Sequence, residues 1–160
     1  MIKKGIILSG GMGTRMSPLT KAVNKQLLPL YNKPLFFYPL SILMLAKIKN
    51  ILIIVNKGQT EQFQKILPDG KNLGIRIQYK EQDKPRGLPD AFVIGEKFIG
   101  SDDVCLLLGD NIFYGAGLED LLDSAVKTVK SEQKAVVFGS YVKDPQRYGV
   151  AVFDNQKNVV

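Results

Sequence analysis

The sequence has no histidine, so none of its side chains titrates near neutral pH by its ordinary pKa. It has one cysteine, which excludes a disulfide within the chain. That residue, Cys105, lies in the apolar run Val104-Cys-Leu-Leu-Leu108, where a small buried thiol is expected rather than a metal ligand or nucleophile. Long hydrophobic runs are missing too. The greasiest stretch, Leu35 to Ala46, is too short to span a bilayer and is interrupted by Tyr38, Pro39 and Ser41. Met1-Ile2-Lys3-Lys4 leads into a short apolar run that ends in glycines, without the hydrophobic region and cleavage site of a signal peptide. No internal repeat, linker or low-complexity segment is visible. These absences together predict a cytoplasmic, reducing setting and no membrane partner.

What is present is ordinary globular material. The chain has 160 residues, 45% of them hydrophobic and 23% charged, which is enough to bury a core and suits one domain spanning 1–160. Lys and Arg number 22 against 15 Asp and Glu, for a net charge of +7. That balance favours an anionic, phosphate-bearing ligand, and without clustering it is not a nucleic-acid footprint.

β-rich runs recur at Lys4–Ser9, Ile51–Val55, Ile75–Tyr79, Val104–Leu108 and Ala135–Phe138. Several are apolar at every position, which is the pattern of strands covered on both faces in a mainly parallel sheet. Ile75–Tyr79 alternates instead and is expected nearer an edge. Helices are expected over Pro34–Ala46, Thr60–Leu67, Leu88–Phe98 and Leu118–Lys130, the last with Leu118, Leu121, Leu122, Ala125 and Val129 on one face. The tail from Tyr148 to Val160 reads as a strand and a turn at Asp154-Asn155. Alternating strands and helices predict a Rossmann-like three-layer α/β/α fold whose ligands sit beyond the carboxyl ends of the strands.

Ser9-Gly-Gly-Met-Gly-Thr-Arg15 follows the first strand directly. Its glycines permit positive φ and let backbone N–H groups approach a phosphate. The dinucleotide fingerprint fails because Met16 stands where its last glycine belongs, and no Gly-Lys-Ser/Thr follows to make a P-loop. Alone, a Gly-Gly pair is most simply a tight turn. Arg15 and Lys25 shift the balance, because a guanidinium fork and a mobile ammonium can converge on one phosphate chain. Leu108-Gly109-Asp110-Asn111 ends an apolar strand in a carboxylate, a placement that suits a Mg²⁺ ligand and equally an Asx turn.

In these residues the chain resembles the sugar-1-phosphate nucleotidyltransferases. The likeness is carried by Gly5-Ile-Ile-Leu-Ser-Gly-Gly-Met-Gly-Thr-Arg15, Lys25-Gln-Leu-Leu-Pro29, Lys33-Pro34, Tyr38-Pro-Leu-Ser41, Gly87-Leu88, Gly109-Asp-Asn-Ile-Phe-Tyr-Gly115 and Asp144-Pro-Gln-Arg-Tyr-Gly-Val150. The last two point to its thymidylyl-transferring branch. The resemblance implies that dTTP and glucose 1-phosphate give dTDP-glucose and pyrophosphate, with Mg²⁺ and no protein nucleophile. Phosphoryl transfer is mostly positioning and charge neutralisation, which a chain without histidine can supply.

Carried over by position, Gly10, Gly11, Gly13 and Thr14 wrap the triphosphate with Gln26 beside them, and Arg15 and Lys25 stabilise the departing pyrophosphate. Asp110 holds Mg²⁺, Gln82 and Gly87 read the pyrimidine, and Asn111 and Gly149 touch the sugar. Without the family, Gln82, Gly87 and Gly149 read as a polar strand end, a helix start and a turn. Ser9, Met12 and Asn32 replace a usual Ala, Ser and Asp in loops. Pro89-Asp90 stands where Ala-Gln is usual, near the base-reading turn, and thymidine stays favoured over uridine.

The family continues past residue 160 into a Glu-Lys-Pro motif that grips the sugar phosphate, and later to a second metal-binding carboxylate. The expectation is therefore a nucleotide-binding core lacking the acceptor side, truncated at the C-terminus. Losing one charge-stabilising group costs roughly 2.7 to 4 kcal/mol in the transition state, so these residues alone should bind nucleotide with little turnover. The alternatives are a non-catalytic nucleotide-binding module and a uridylyl or other sugar-1-phosphate nucleotidyltransferase. The resemblance also implies a homo-oligomer in the full-length form, and no nucleic-acid partner.

Overall fold

The computed structural model describes residues 2–155. Its main sheet holds β1 (Lys4–Ser9), β4 (Asn50–Asn56), β5 (Arg76–Gln82) and β6 (Val104–Leu108), all parallel, in the order β5-β4-β1-β6. A small antiparallel pair, β2 (Pro29–Leu30) and β3 (Lys33–Pro34), turns at Tyr31-Asn32. The helices are α1 (Phe37–Leu45), α2 (Thr60–Ile66), α3 (Asp90–Ile99) and α4 (Leu118–Glu132).

Because side chains alternate across a strand, β1 sends Ile7 to one face and Ile6 and Leu8 to the other. Ile7, Ile51, Ile53 and Val55 pack with Leu40 and Leu43 of α1, Phe63 of α2 and Leu122 of α4. Ile6, Leu52 and Ile54 pack with Ala91 and Phe98 of α3. A sheet greasy on both faces is thereby covered on both faces, giving the three-layer α/β/α arrangement. β5 is buried only at alternate positions over its first residues and takes an outer place in the sheet, as its alternation predicts.

Four expectations fail. Ala135–Phe138 pairs with nothing among the described residues, and Val137 is 89% exposed. A β-branched run becomes a strand only where a ladder partner meets it, and partners are nonlocal. The tail strand is likewise absent across 148–155 apart from an isolated bridge at Phe153, and residues 156–160 lie outside the described set. On α4, Leu121 is 51% exposed while Val126 packs on the core in its place. The first helix also starts later than expected, because Pro34 is used in β3.

Strand order sets the site. From β1 the chain steps outward through β4 to β5, then returns to the opposite side of β1 to form β6. Ligand crevices in open α/β sheets lie where the order reverses, beyond the carboxyl ends of the two strands that flank the reversal. Here those ends are Ser9 of β1 and Leu108 of β6, held together as the Gly109 N–H donates to the Leu8 carbonyl at 2.8 Å.

Candidate active site

A cavity of about 280 Å³ opens at this reversal, lined by the glycine loop Gly10, Gly11 and Gly13, by Thr14, Arg15 and Met16 after it, and by Lys25, Gln26 and Asp110. The loop leaves β1 and closes in a 3₁₀ turn at Thr14–Met16, where the Met16 N–H donates to the Gly13 carbonyl. The N–H groups of Met12, Gly13, Thr14 and Arg15 make no hydrogen bond among the described residues. A run of such donors with a guanidinium at its end is chemically an anion cradle.

Charge in the cavity is sparse and opposed. Lys25 Nζ donates to Asp110 Oδ2 at 2.6 Å, across 85 residues of sequence, and both side chains are 30% exposed. Arg15 is exposed and has no ion pair among the described residues. One carboxylate faces the phosphate-sized space, and no group of three potential metal ligands occurs among the described residues. That donor set does not make an all-protein metal cage. It does fit Mg²⁺, which typically takes one or two carboxylates and completes its shell with substrate phosphate and water.

The cradle is shaped by neutral amides, most of which the sequence did not single out. Asn56, the last residue of β4, accepts from the Gly11 N–H and donates to the Gly11 carbonyl, both at 3.0 Å. Its Oδ1 also accepts from Gln82 Nε2 at 3.0 Å. Asn24 donates to the Ser9 carbonyl at 3.1 Å and to Gln59 Oε1 at 2.6 Å, and accepts from the Gln26 N–H at 2.8 Å. Gln26 Nε2 donates to the Gly10 carbonyl at 3.4 Å, leaving Oε1 buried and without a partner among the described residues. Thr20 Oγ1 donates to the Gly13 carbonyl at 2.9 Å. The available signal was polar residues closing apolar runs: Asn56 ends Ile51–Val55 as Asp110 follows Val104–Leu108.

A profile of the nucleotidyl transferase family matches residues 4–160. The chain belongs to that family. It is 53% identical over 158 residues to a glucose-1-phosphate thymidylyltransferase of Neisseria gonorrhoeae, a match covering 98% of this chain and 54% of the relative. With the enzyme of that name from Mycobacterium tuberculosis it shares 47% over 150 residues, covering 94% and 51%. Among solved structures, one assigned as a glucose-1-phosphate thymidylyltransferase from Bacillus anthracis superimposes with a TM-score of 0.84 at 34% identity, covering 97% of this chain and 61% of the other. The chain spans about half the length of the curated relatives it matches.

In this member of the nucleotidyl transferase family the cavity gathers Gly10, Gly11, Gly13, Thr14, Arg15, Lys25, Gln26 and Asp110 from the residues that the sequence singles out. Four others lie off it. Gln82 is 4% exposed and sits behind the glycine loop, turned toward Asn56. Gly87 occupies an exposed turn at φ 101°, and Asn111 is exposed with its N–H bonded to the Leu108 carbonyl. Gly149 lies in the exposed stretch after α4 with open space around it. Cys105 is half-buried on β6 and burial pushes its thiol up to about 11, the chemistry of an inert side chain. No described helix is long and apolar enough to cross a membrane.

Proposed function

We propose that the full protein transfers a thymidylyl group from dTTP to glucose 1-phosphate, releasing pyrophosphate. The observation that carries this reading is the convergence of the glycine loop, Arg15, Lys25 and Asp110 on one cavity at the strand-order reversal. The N–H groups from Met12 to Arg15 cradle the triphosphate. A phosphate oxygen of the sugar attacks the α-phosphorus in line as the bond to the β-phosphate oxygen breaks, and Arg15 and Lys25 stabilise the charge gathering on the pyrophosphate. Asp110 is the residue that would hold Mg²⁺, which when bound neutralises phosphate charge. Lys25, 2.6 Å from that carboxylate, is the ammonium placed to reach the phosphates from beside it. The four residues off the cavity keep their family roles here as part of the proposal: Gln82 and Gly87 toward the base, Asn111 and Gly149 toward the sugar.

At about 280 Å³ the cavity is just below the roughly 300–1,000 Å³ range of small-molecule sites, which suits the phosphates rather than a whole nucleotide plus sugar. The reading accordingly gives these 160 residues nucleotide binding with little turnover, and it places the longer protein in the cytoplasm as a homo-oligomer.

Calorimetric titration with dTTP, UTP, ATP and CTP, with and without Mg²⁺, tests it on the wild-type chain and on Asp110→Ala. The expected result is preference for dTTP and a Mg²⁺ dependence that the variant loses. Equal binding of all four nucleotides removes the base-reading roles of Gln82 and Gly87. An unchanged metal dependence in the variant removes Asp110, and no binding at all ends the proposal.

A further inference from the structure

We infer that Asn56 is a positioning residue that ties Gln82 to the phosphate-binding loop, so that what Gln82 touches is felt by the groups that hold the phosphates. The inference rests on the reading of the glycine loop as a phosphate cradle and goes beyond it, because Asn56 lines no part of the cavity.

Parallel pairing sets Ser9 of β1 opposite Val55 of β4, which brings Asn56 to the point where the chain leaves the sheet. A carboxamide is the side-chain group that matches a peptide unit, with one acceptor and one donor side. Asn56 uses both on Gly11, at 3.0 Å each, and so extends the β1–β4 ladder by a side chain at a glycine with φ 107°. The Gly11 N–H is thereby consumed. Phosphate is left to the four following N–H groups, whose directions depend on how the Gly11 peptide is held.

The second half of the tie is Gln82, the last residue of β5. Its Nε2 donates to the same Asn56 Oδ1 at 3.0 Å. It also lies over the loop itself, since a Cβ placed on Gly10 would come within 1.5 Å of Nε2. One oxygen thus receives a donor from the loop and a donor from Gln82. If Gln82 turns its amide to a ligand, that oxygen is left to the Gly11 N–H alone, and the loop's hydrogen bond strengthens or shifts with it. Charge plays no part, as every group in the chain Gln82–Asn56–Gly11 is neutral.

The test uses a probe without a base. Inorganic tripolyphosphate and dTTP are titrated calorimetrically into the wild type, Asn56→Ala, Asn56→Ser, Gln82→Ala and the double variant Asn56→Ala/Gln82→Ala. Folding is checked by circular dichroism. Asn56→Ala should weaken tripolyphosphate about tenfold, and Asn56→Ser, whose hydroxyl stops one bond short of Gly11, should weaken it to a similar degree. Gln82→Ala should also weaken tripolyphosphate several-fold, although that ligand has no base to contact, and should add nothing in the Asn56→Ala background. Wild-type tripolyphosphate binding in Gln82→Ala overturns the tie, as does full additivity of the two losses. If Asn56→Ala does not fold, Asn56→Ser and Gln82→Ala decide the matter in the same way. A wild-type chain that binds neither ligand refutes the proposed function instead, while binding that is unchanged in every variant refutes only the role of Asn56.

Discussion

The Lys25–Asp110 pair makes a prediction whose sign changes with magnesium. The two charges sit 2.6 Å apart with both side chains 30% exposed, so to a phosphate entering the cavity they nearly cancel. Two unit charges about 4 Å apart interact by roughly 1 kcal/mol at the dielectric of water and roughly 4 kcal/mol at an effective value of 20. For side chains this exposed, the lower part of that range applies, about 1.4 kcal/mol or tenfold for each charge removed. Lys25→Ala should therefore weaken tripolyphosphate about tenfold without metal, because the carboxylate is left to repel it. Asp110→Ala should tighten it about tenfold under the same conditions. The double variant Lys25→Ala/Asp110→Ala should return to within about threefold of the wild type, since the net charge at the site is restored.

Addition of Mg²⁺ should reverse the effect of Asp110→Ala, which on the proposed function lacks the carboxylate for the ion and should bind more weakly than the wild type. The stability cost of breaking the pair is small, about 1 kcal/mol, or about 2–4 °C in Tm for a chain of this size. The assay is calorimetry at 50 mM and 150 mM salt. Contacts this short lie inside the Debye length of about 8 Å at the higher concentration, so the pattern should shrink there without vanishing. Metal-free Asp110→Ala that binds tripolyphosphate no better than the wild type refutes the reasoning, because the carboxylate would then not face the phosphates.

Two further outcomes follow from packing. Gly10→Ala puts a Cβ 1.5 Å from Gln82 Nε2, so the amide must swing away and give up its Asn56 bond at a cost of about 1–3 kcal/mol. Thermal melting should register this, and because Gln82→Ala removes the same bond, Gly10→Ala should cost little more in a Gln82→Ala background; an unshifted Gly10→Ala melt refutes the contact. The Cys105 thiol, raised by burial from 9.0 to about 11, should resist alkylation at pH 8 until the protein is unfolded. Its stabilising contribution is present below pH 9 and lost as pH rises toward 11, so the stability difference between wild type and Cys105→Ala should change over that window and stay flat below it.

Local chemistry made the fold and the charged part of the site readable. Unbroken apolar stretches, Gly5–Leu8, Ile51–Val55 and Val104–Leu108, marked β1, β4 and β6 as buried strands, and a doubly covered parallel sheet places ligands beyond their carboxyl ends. Asp110 could be placed on that ground because it sits two residues past a strand whose limits are visible. Ala135–Phe138 carries the same local signal and forms no strand among the described residues, since a strand is completed by a partner that its own sequence does not name. The amide network was hidden for a related reason. Asn56 can reach Gly11 only because β4 lies beside β1 in the register that pairs Val55 with Ser9, and a one-residue slip would turn it to the other face.

The division between legible and hidden residues follows what each group does. Charged residues that line the cavity stand out, since an isolated Arg, Lys or Asp beside glycines has few structural reasons to be there. Neutral amides that hold the glycines look like any polar strand end. Yet they fit the task better than charges would: an amide satisfies both sides of a peptide, adds no net field to a cavity whose Lys25 and Asp110 are already balanced, and keeps its hydrogen bonds at any pH where the protein is folded. A carboxylate at position 56 would lose the donor to the Gly11 carbonyl and add repulsion toward phosphate, and a lysine there would lose the acceptor that Gly11 and Gln82 share. The loop's geometry is thus set by groups that do not titrate, which leaves Lys25, Arg15 and Asp110 as the charges that line the cavity and, on the proposed function, meet phosphate and metal.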